Sequence, residues 1–281
     1  MASENKALVI LAFAAIYFVW GSTYVVVLFA LKEFPPFLLG FLRYIIAGSI
    51  LLIWTILQGE KDFEWQTVTK NALVGILILI GGSFAVTWTQ QYLPSSLAAI
   101  VISSEPFWFV ILDKKQWRNY FSNPFIISGV LTGFTGILFL FGFNQEWQDS
   151  HLNKIQLLSG LILILGSVSW VSGSLYAKYN PSKGSNKMKV CIQLLVSALI
   201  LLVTSFSLGE PGQFSFATVS PKGWLSLFFL AVMGSVITYN AYIWLLSKKP
   251  AVIVGTFAYV NPIVAVLLGM GLANETLALN H

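Results

Sequence analysis

The sequence predicts an all-α integral membrane protein built from two inverted-topology repeats of five transmembrane helices. Three observations carry that expectation. Of the 281 residues, 57% are hydrophobic and only 10% are charged. Nine apolar stretches are long enough to cross a bilayer. The second half of the chain also repeats landmarks of the first. A soluble domain carries roughly 25% charged residues because it faces water, so the solvent on most of this surface is lipid.

A membrane helix needs about 20 mostly apolar residues. The qualifying stretches are Ala7–Leu31, Pro36–Leu57, Asn71–Tyr92, Ser95–Leu112, Pro124–Phe143, Ile155–Ala177, Val190–Leu208, Trp224–Ser247 and Pro250–Ala273. Ser95–Leu112 is the shortest, at 18 residues. Apolar residues run all the way round these stretches, unlike an amphipathic surface helix. They also lack the two-residue alternation of barrel strands. The first stretch is too long for the apolar core of a signal peptide and is read as a retained helix.

Lysine and arginine in the loops set the orientation. With the N-terminus inside, twelve basic residues fall on the inner side (Lys6, Lys61, Lys70, Lys114, Lys115, Arg118, Lys178, Lys183, Lys187, Lys189, Lys248 and Lys249). Only three, Lys32, Lys154 and Lys222, fall outside, and Arg43 lies within a span. The net charge of +5 is therefore a topology signal, not a nucleic-acid footprint. The expectation is a multi-pass protein of the cell (inner or plasma) membrane with a cytoplasmic N-terminus. The single cysteine, Cys191, excludes an intrachain disulfide, and His151 and His281 are too scattered for a metal site.

The repeat is read from four ordered matches. Residues 47–53 align with residues 197–203 at an offset of 150, which puts Trp20 on Trp170 and Arg43 on Gln193. Gly82-Ser83 matches Gly234-Ser235 at 152, and Pro94 and Pro106 match Pro250 and Pro262 at 156. Five helices is an odd number, so the second copy enters the membrane from the opposite face, an arrangement common among secondary transporters. The expected units are 1–143, a complete repeat, and 144–281, holding four helices. The offset puts the counterpart of the fifth helix at residue 280 and the chain ends at His281. Nine of ten helices are therefore expected, with the tenth missing.

Two formally charged residues lie within the spans, Arg43 and Glu105. A charge in a bilayer costs at least about 2.5–3.5 kcal/mol, so such residues face a cavity or a partner. Arg43 lies roughly 10 Å and Glu105 roughly 15 Å from the outer end of their helices at 1.5 Å per residue. An ion pair or a shared cavity is expected, as is a snorkelling Arg43 on the plainer reading. On the sharper one, Arg43 binds a carboxylate or phosphate while Glu105 takes a proton or a substrate amine. Pro106 and Pro262 are expected to interrupt their helices near mid-membrane. Asn261 occupies the position of Glu105 in the second copy. Trp20 and Trp170 are expected as cavity walls, and Tyr259 is a further substrate-site candidate. Gly129, Gly133 and Gly136 form a small-residue face suited to close helix packing.

Trp20-Gly21-Ser22 followed by Pro35-Pro36 and Arg43, then Pro94 with Glu105-Pro106, and again Pro250 with Asn261-Pro262 and Glu275, resemble EamA-type proteins of the drug/metabolite transporter superfamily. The resemblance covers nearly the whole chain. It implies ten helices in two inverted repeats, both termini cytoplasmic, and transport of small metabolites, with Arg43 and Glu105-Pro106 at site or gating positions. The family's acidic helix-end residue would fall here at Asn119, whereas Asp113-Lys114-Lys115 arrives early and ends the fourth helix.

The expected function is a secondary transporter, an exporter of amino acids or related organic ions working by alternating access. No Walker-type phosphate loop is present for ATP hydrolysis. No catalytic residues, metal, cofactor or nucleic-acid partner are expected. The expected partners are a small-molecule substrate, membrane lipids and protons as coupling ion, in a monomer or homodimer. A non-transporting membrane subunit or sensor is the alternative. An intramembrane lipid-acting enzyme ranks last, because the spans hold no histidine and no paired carboxylates.

Overall fold

The computed structural model describes residues 6–60, 64–142 and 154–272. In chain order the helices are α1 (Lys6–Leu31), α2 (Pro36–Leu57), α3 (Trp65–Thr89), α4 (Ser95–Ile102), α5 (Glu105–Leu112) and α6 (Trp117–Phe121). There follow α7 (Pro124–Gly142), α8 (Lys154–Tyr179), α9 (Asn186–Ser207), α10 (Pro221–Lys248), α11 (Ala251–Val254) and α12 (Phe257–Leu272). Among the described residues there is no strand. Seven segments are long and apolar enough to cross a membrane, counting Ala251–Gly271 as one. Leu11, Ile53, Leu165, Leu199 and Leu267 point outward, each more than half exposed, while serines and threonines such as Ser167, Ser174 and Thr238 are buried. That inside-out distribution is what a lipid solvent selects. The chain is an all-helical integral membrane protein.

The local sequence accounts for the helix ends. Pro36 and Pro221 occupy first helical positions, where their missing N–H costs nothing. Ser185 and Ser220 accept hydrogen bonds from the N–H groups of Met188 and Gly223, capping α9 and α10. Gly59 and Gly209 follow α2 and α9 with φ at 72°, the left-handed conformation that closes a helix most cheaply in glycine. These two glycines are 150 residues apart, the offset of the repeat.

The repeats meet as inverted copies. Gly40 lies against Leu201 and Gly48 against Leu195, so the equivalent helices α2 and α9 run antiparallel. Trp20 donates to the Gly234 carbonyl, and its counterpart Trp170 packs over Gly82, the counterpart of Gly234. Helices α3 and α10 each contain a widened π-type stretch at matching places, Ile76–Phe84 and Leu230–Tyr239. A third lies in α1 at Ala15–Val19. Such turns release carbonyls from the helical ladder. Their acceptors are met by side chains from other helices: Ser169 on Leu77, Tyr44 on Leu79 and Trp20 on Gly234. The proposed unit boundary at residues 143 and 144 lies outside the described residues, as do Phe143, Ala273, Glu275, His151 and His281.

The interruption expected at Pro106 is found, and two other expectations on helix continuity are corrected. Ser95–Leu112 is two helices joined by a turn at Ser103-Ser104, with Pro106 in the first turn of α5. The proline's missing donor leaves the Ile102 carbonyl without its ladder partner, so the break falls just before it. Pro262, by contrast, sits inside the continuous helix α12, and the second-copy break lies at Gly255-Thr256. Gly255 packs where a Cβ would stand 2.6 Å from the Phe109 ring, so that break coincides with close packing and not with a proline. Finally, α3 begins at Trp65, six residues before the apolar stretch does, because Trp65–Lys70 forms a helical turn outside it.

At the lysine-poor end, Glu33 accepts from the Ser220 N–H at 3.0 Å and from its hydroxyl at 2.5 Å. These bonds hold the Glu33 carboxyl below the usual glutamate value. A depressed folded-state value contributes stability above the unfolded value, near 4.3, and loses it as pH falls through the lower folded one. Glu33→Gln is expected to lower the melting temperature at neutral pH, with the difference from wild type shrinking at acid pH below that value. A difference constant across pH in detergent melts would show that Glu33 is not linked to folding.

Candidate functional site

A cavity of about 660 Å³, including its open mouth, lies between the middle of the bundle and the lysine-poor end. Its walls come from the C-terminal halves of α1 (Trp20, Thr23, Tyr24, Val27) and α3 (Ser83, Thr87, Gln90) and from Arg43 near the start of α2. Glu105 at the α4–α5 break, Trp170 of α8, Ser235 and Tyr239 of α10, and Phe257 and Asn261 of α12 complete it. Both repeats therefore supply residues.

The floor is aromatic. Trp20 meets Trp170 edge-to-face at 5.3 Å and Phe257 at 5.1 Å. The Trp170 indole donates to Tyr242 Oη at 2.8 Å, and Tyr242 also bonds Ser174 at 2.7 Å. Each indole N–H is thus used by the protein, and the rings offer faces and edges rather than donors to a solute.

Polar groups line the walls. Arg43 is 8% exposed. Its Nε donates to Ser235 Oγ at 3.0 Å, and its guanidinium stands 5.4 Å from the Tyr44 ring. Gly234 permits this approach, because a Cβ there would sit 3.2 Å from an Arg43 terminal nitrogen. Glu105 is 2% exposed, and its Oε2 has no partner. Gln90 spends its amide nitrogen on the Tyr24 carbonyl at 3.2 Å and leaves Oε1 buried without a partner. No ion pair forms between Arg43 and Glu105; the ion pair found among the described residues is Lys183–Glu64, on the surface. An unsatisfied buried polar group costs about 1–3 kcal/mol, so these two oxygens are the costliest groups in the cavity wall.

The expected site residues are therefore placed as follows. Arg43, Glu105, Trp20, Trp170 and Asn261 share one cavity. Arg43 and Glu105 do so as separate walls rather than as a salt bridge. Asn261 is spoken for: with its amide nitrogen turned inward it donates to the carbonyls of Tyr17, Ile16 and Phe257 at 2.8, 3.1 and 3.2 Å. It fastens α12 to the widened turn of α1. Pro106 and Pro262 lie outside the lining, and Pro106 acts by placing Glu105 at the head of α5. Tyr259 is also outside it: 37% exposed, it faces α7, where a Cβ on Gly133 would meet its hydroxyl at 2.9 Å. A Cβ on Gly129 would meet nothing within 4 Å, so this position does not pack closely against another described helix. Sequence reasoning passed over Ser83, Thr87, Tyr24 and Ser235 as wall residues. The spacing of Ser83, Thr87 and Gln90 was a legible signal, since positions i, i+4 and i+7 share one helix face.

The EamA-like transporter family model matches this chain twice, over residues 7–142 and 157–281. The chain is 33% identical to the uncharacterized inner membrane transporter YedA of Escherichia coli (strain K12), over 95% of this chain and 83% of the relative. It is 25% identical to the uncharacterized transporter YvbV of Bacillus subtilis (strain 168), over 99% and 87% of the two chains. A solved crystal structure with 19% identity superposes with a TM-score of 0.73, over 98% of this chain and 92% of that one. Two matches to one family model, placed on two inverted sets of helices around a shared cavity, lead to one conclusion: this chain belongs to the EamA-like transporter family and is a multi-pass membrane transporter.

Proposed function

We propose that the chain is a secondary transporter that exports small zwitterionic or ionic metabolites, such as amino acids or related organic ions, by alternating access. The observation that carries this reading is that one basic and one acidic side chain, Arg43 and Glu105, line one cavity without an ion pair between them. Arg43 offers charge-assisted donors for a carboxylate. Glu105 Oε2 and Gln90 Oε1 offer acceptors for an amine. The aromatic floor takes the apolar part of the solute.

Alternating access is supported by an asymmetry between the repeats. Trp20 donates to the Gly234 carbonyl, whereas its counterpart Trp170 turns its N–H to Tyr242 while packing on Gly82. Exchanging the two arrangements converts a cavity open to one face into one open to the other. With the lysine-rich end inside, as the positive-inside rule places it, the cavity described here opens outward. Glu105 is the residue on which proton coupling would act, because an unpaired buried carboxylate is relieved by a proton or by a cation.

Purified protein in proteoliposomes tests this. Counterflow of an amino acid found by thermal-shift screening is the expected result. Its complete absence across amino acids, nucleobases and organic cations would favour a non-transporting role. Counterflow insensitive to a pH gradient would remove proton coupling and leave the carrier reading standing.

A further inference from the structure

A second cavity, about 820 Å³ including its mouth, lies at the lysine-rich end between α3, α8, α9 and α10. Lys70, Lys178 and Lys189 line it with Asn71, Asn186 and Gln193, and no carboxylate does. Nearby acids are engaged elsewhere: Glu64 with Lys183, Glu60 with the Ser185 N–H, and Asp113 with the hydroxyls of Tyr120 and Tyr179. Lys178 Nζ donates to the carbonyls of Leu246 and Lys249, whereas Lys70 and Lys189 are half-buried and form no ion pair with an acidic side chain among the described residues. Loop lysines satisfying a topology rule need only reach water or headgroups; these converge on a concave site with amide side chains. Asn186 also places the start of the 22-residue helix α9 there, adding the positive end of its dipole.

The wall between the two cavities is one hydrogen-bonded layer thick. Tyr239 lines the central cavity and donates to Gln193 Oε1 at 2.6 Å. Gln193 lines the lysine cavity and donates to Asn71 Oδ1 at 2.9 Å, and Asn71 in turn donates to Ser182 Oγ at 2.9 Å. We propose that the lysine-lined cavity is an inner vestibule that binds a soluble anion through its carboxylate or phosphate oxygens, with the Tyr239–Gln193 contact as the partition from the central site. Its place on a transport path rests on the reading of the central cavity given above; anion binding there does not.

The test uses full-length protein carrying Cys191→Ser and a single reporter, Asn180→Cys, on the vestibule wall. In phosphatidylcholine nanodiscs, inorganic phosphate is expected to slow maleimide labelling, and chloride at equal ionic strength is not. Lys70→Gln with Lys189→Gln is expected to raise the half-protecting phosphate concentration roughly tenfold, the scale of one charge-assisted hydrogen bond. Equal protection by chloride, or protection unchanged in the double variant, overturns the site. Protection by added phosphatidylglycerol but not by phosphate assigns the lysines to lipid headgroups and overturns the soluble-anion proposal. For the partition, Ser83→Cys is labelled from each face of sealed vesicles. Tyr239→Phe is expected to raise its labelling from the lysine-rich face, and an unchanged rate overturns that role. Phosphate protection without solute counterflow would leave the vestibule standing and count against the transport reading alone.

Discussion

Arg43→Gln is expected to weaken binding of carboxylate-bearing solutes by roughly 10- to 150-fold, the equivalent of a buried hydrogen bond to a charged group. Glutamine keeps a donor within reach of Ser235 and so preserves the α2–α10 contact that Arg43 Nε makes at 3.0 Å. The loss should therefore appear in solute affinity and not in the melting temperature of the unliganded protein. Glu105→Gln separates the two walls. It should spare carboxylates lacking an amine and penalise amines, because an amide oxygen remains an acceptor but carries no charge. Titrations of the paired variants with an amino acid, its decarboxylated amine and its deaminated acid read this out. If both variants bound all three as wild type does, the two-wall site would be wrong.

Gly75→Ala should cost more stability than Gly48→Ala or Gly129→Ala. The new Cβ would stand 2.6 Å from the Gln193 carbonyl oxygen and 2.9 Å from its Cα, and backbone cannot step aside as a side-chain tip can. Overpacking of this kind costs about 1–3 kcal/mol. It would also shift Gln193, whose amide joins Asn71 to Tyr239, so the damage should extend into the wall between the cavities. Gly48→Ala, which meets the flexible end of Leu195, should cost less, and Gly129→Ala, with nothing within 4 Å, almost nothing. Melting temperatures in detergent rank the three. A Gly75 variant as stable as the Gly129 variant would mean that α3 and α9 pack less tightly than described.

Most of the fold was legible because lipid imposes one requirement on every stretch of chain. Each crossing needs about 20 apolar residues with its backbone bonds satisfied internally, and length and composition reveal that without tertiary information. The Trp20/Trp170 and Gly82/Gly234 matches named equivalent positions of the two copies, and the structure then showed each tryptophan against the other copy's glycine. The helix breaks were less legible. Pro106 and Pro262 look equivalent in sequence, yet only the first marks an interruption, because a proline can remain within a helix when tertiary packing holds it. The site was half legible: charge in an apolar span is conspicuous, so Arg43 and Glu105 stood out. Ser83 and Thr87 did not, because isolated small polar residues are common in membrane helices and usually bond their own backbone, as Thr87 does to Ser83.

The sequence by itself determined that this chain lives in a membrane, repeats itself with inverted topology, and carries one arginine and one glutamate within its spans. Only the tertiary structure decided that Arg43 and Glu105 form separate walls of one cavity, that Asn261 serves the scaffold, and that Tyr259 faces α7. The reason is that hydropathy is a property of each segment alone, whereas partnership depends on which helix faces are brought together. Here the widened turns of α1, α3 and α10 expose carbonyls that claim the nearest donors, Asn261 and Trp20 among them. What those carbonyls do not claim, Arg43 and Glu105 foremost, lines the cavity.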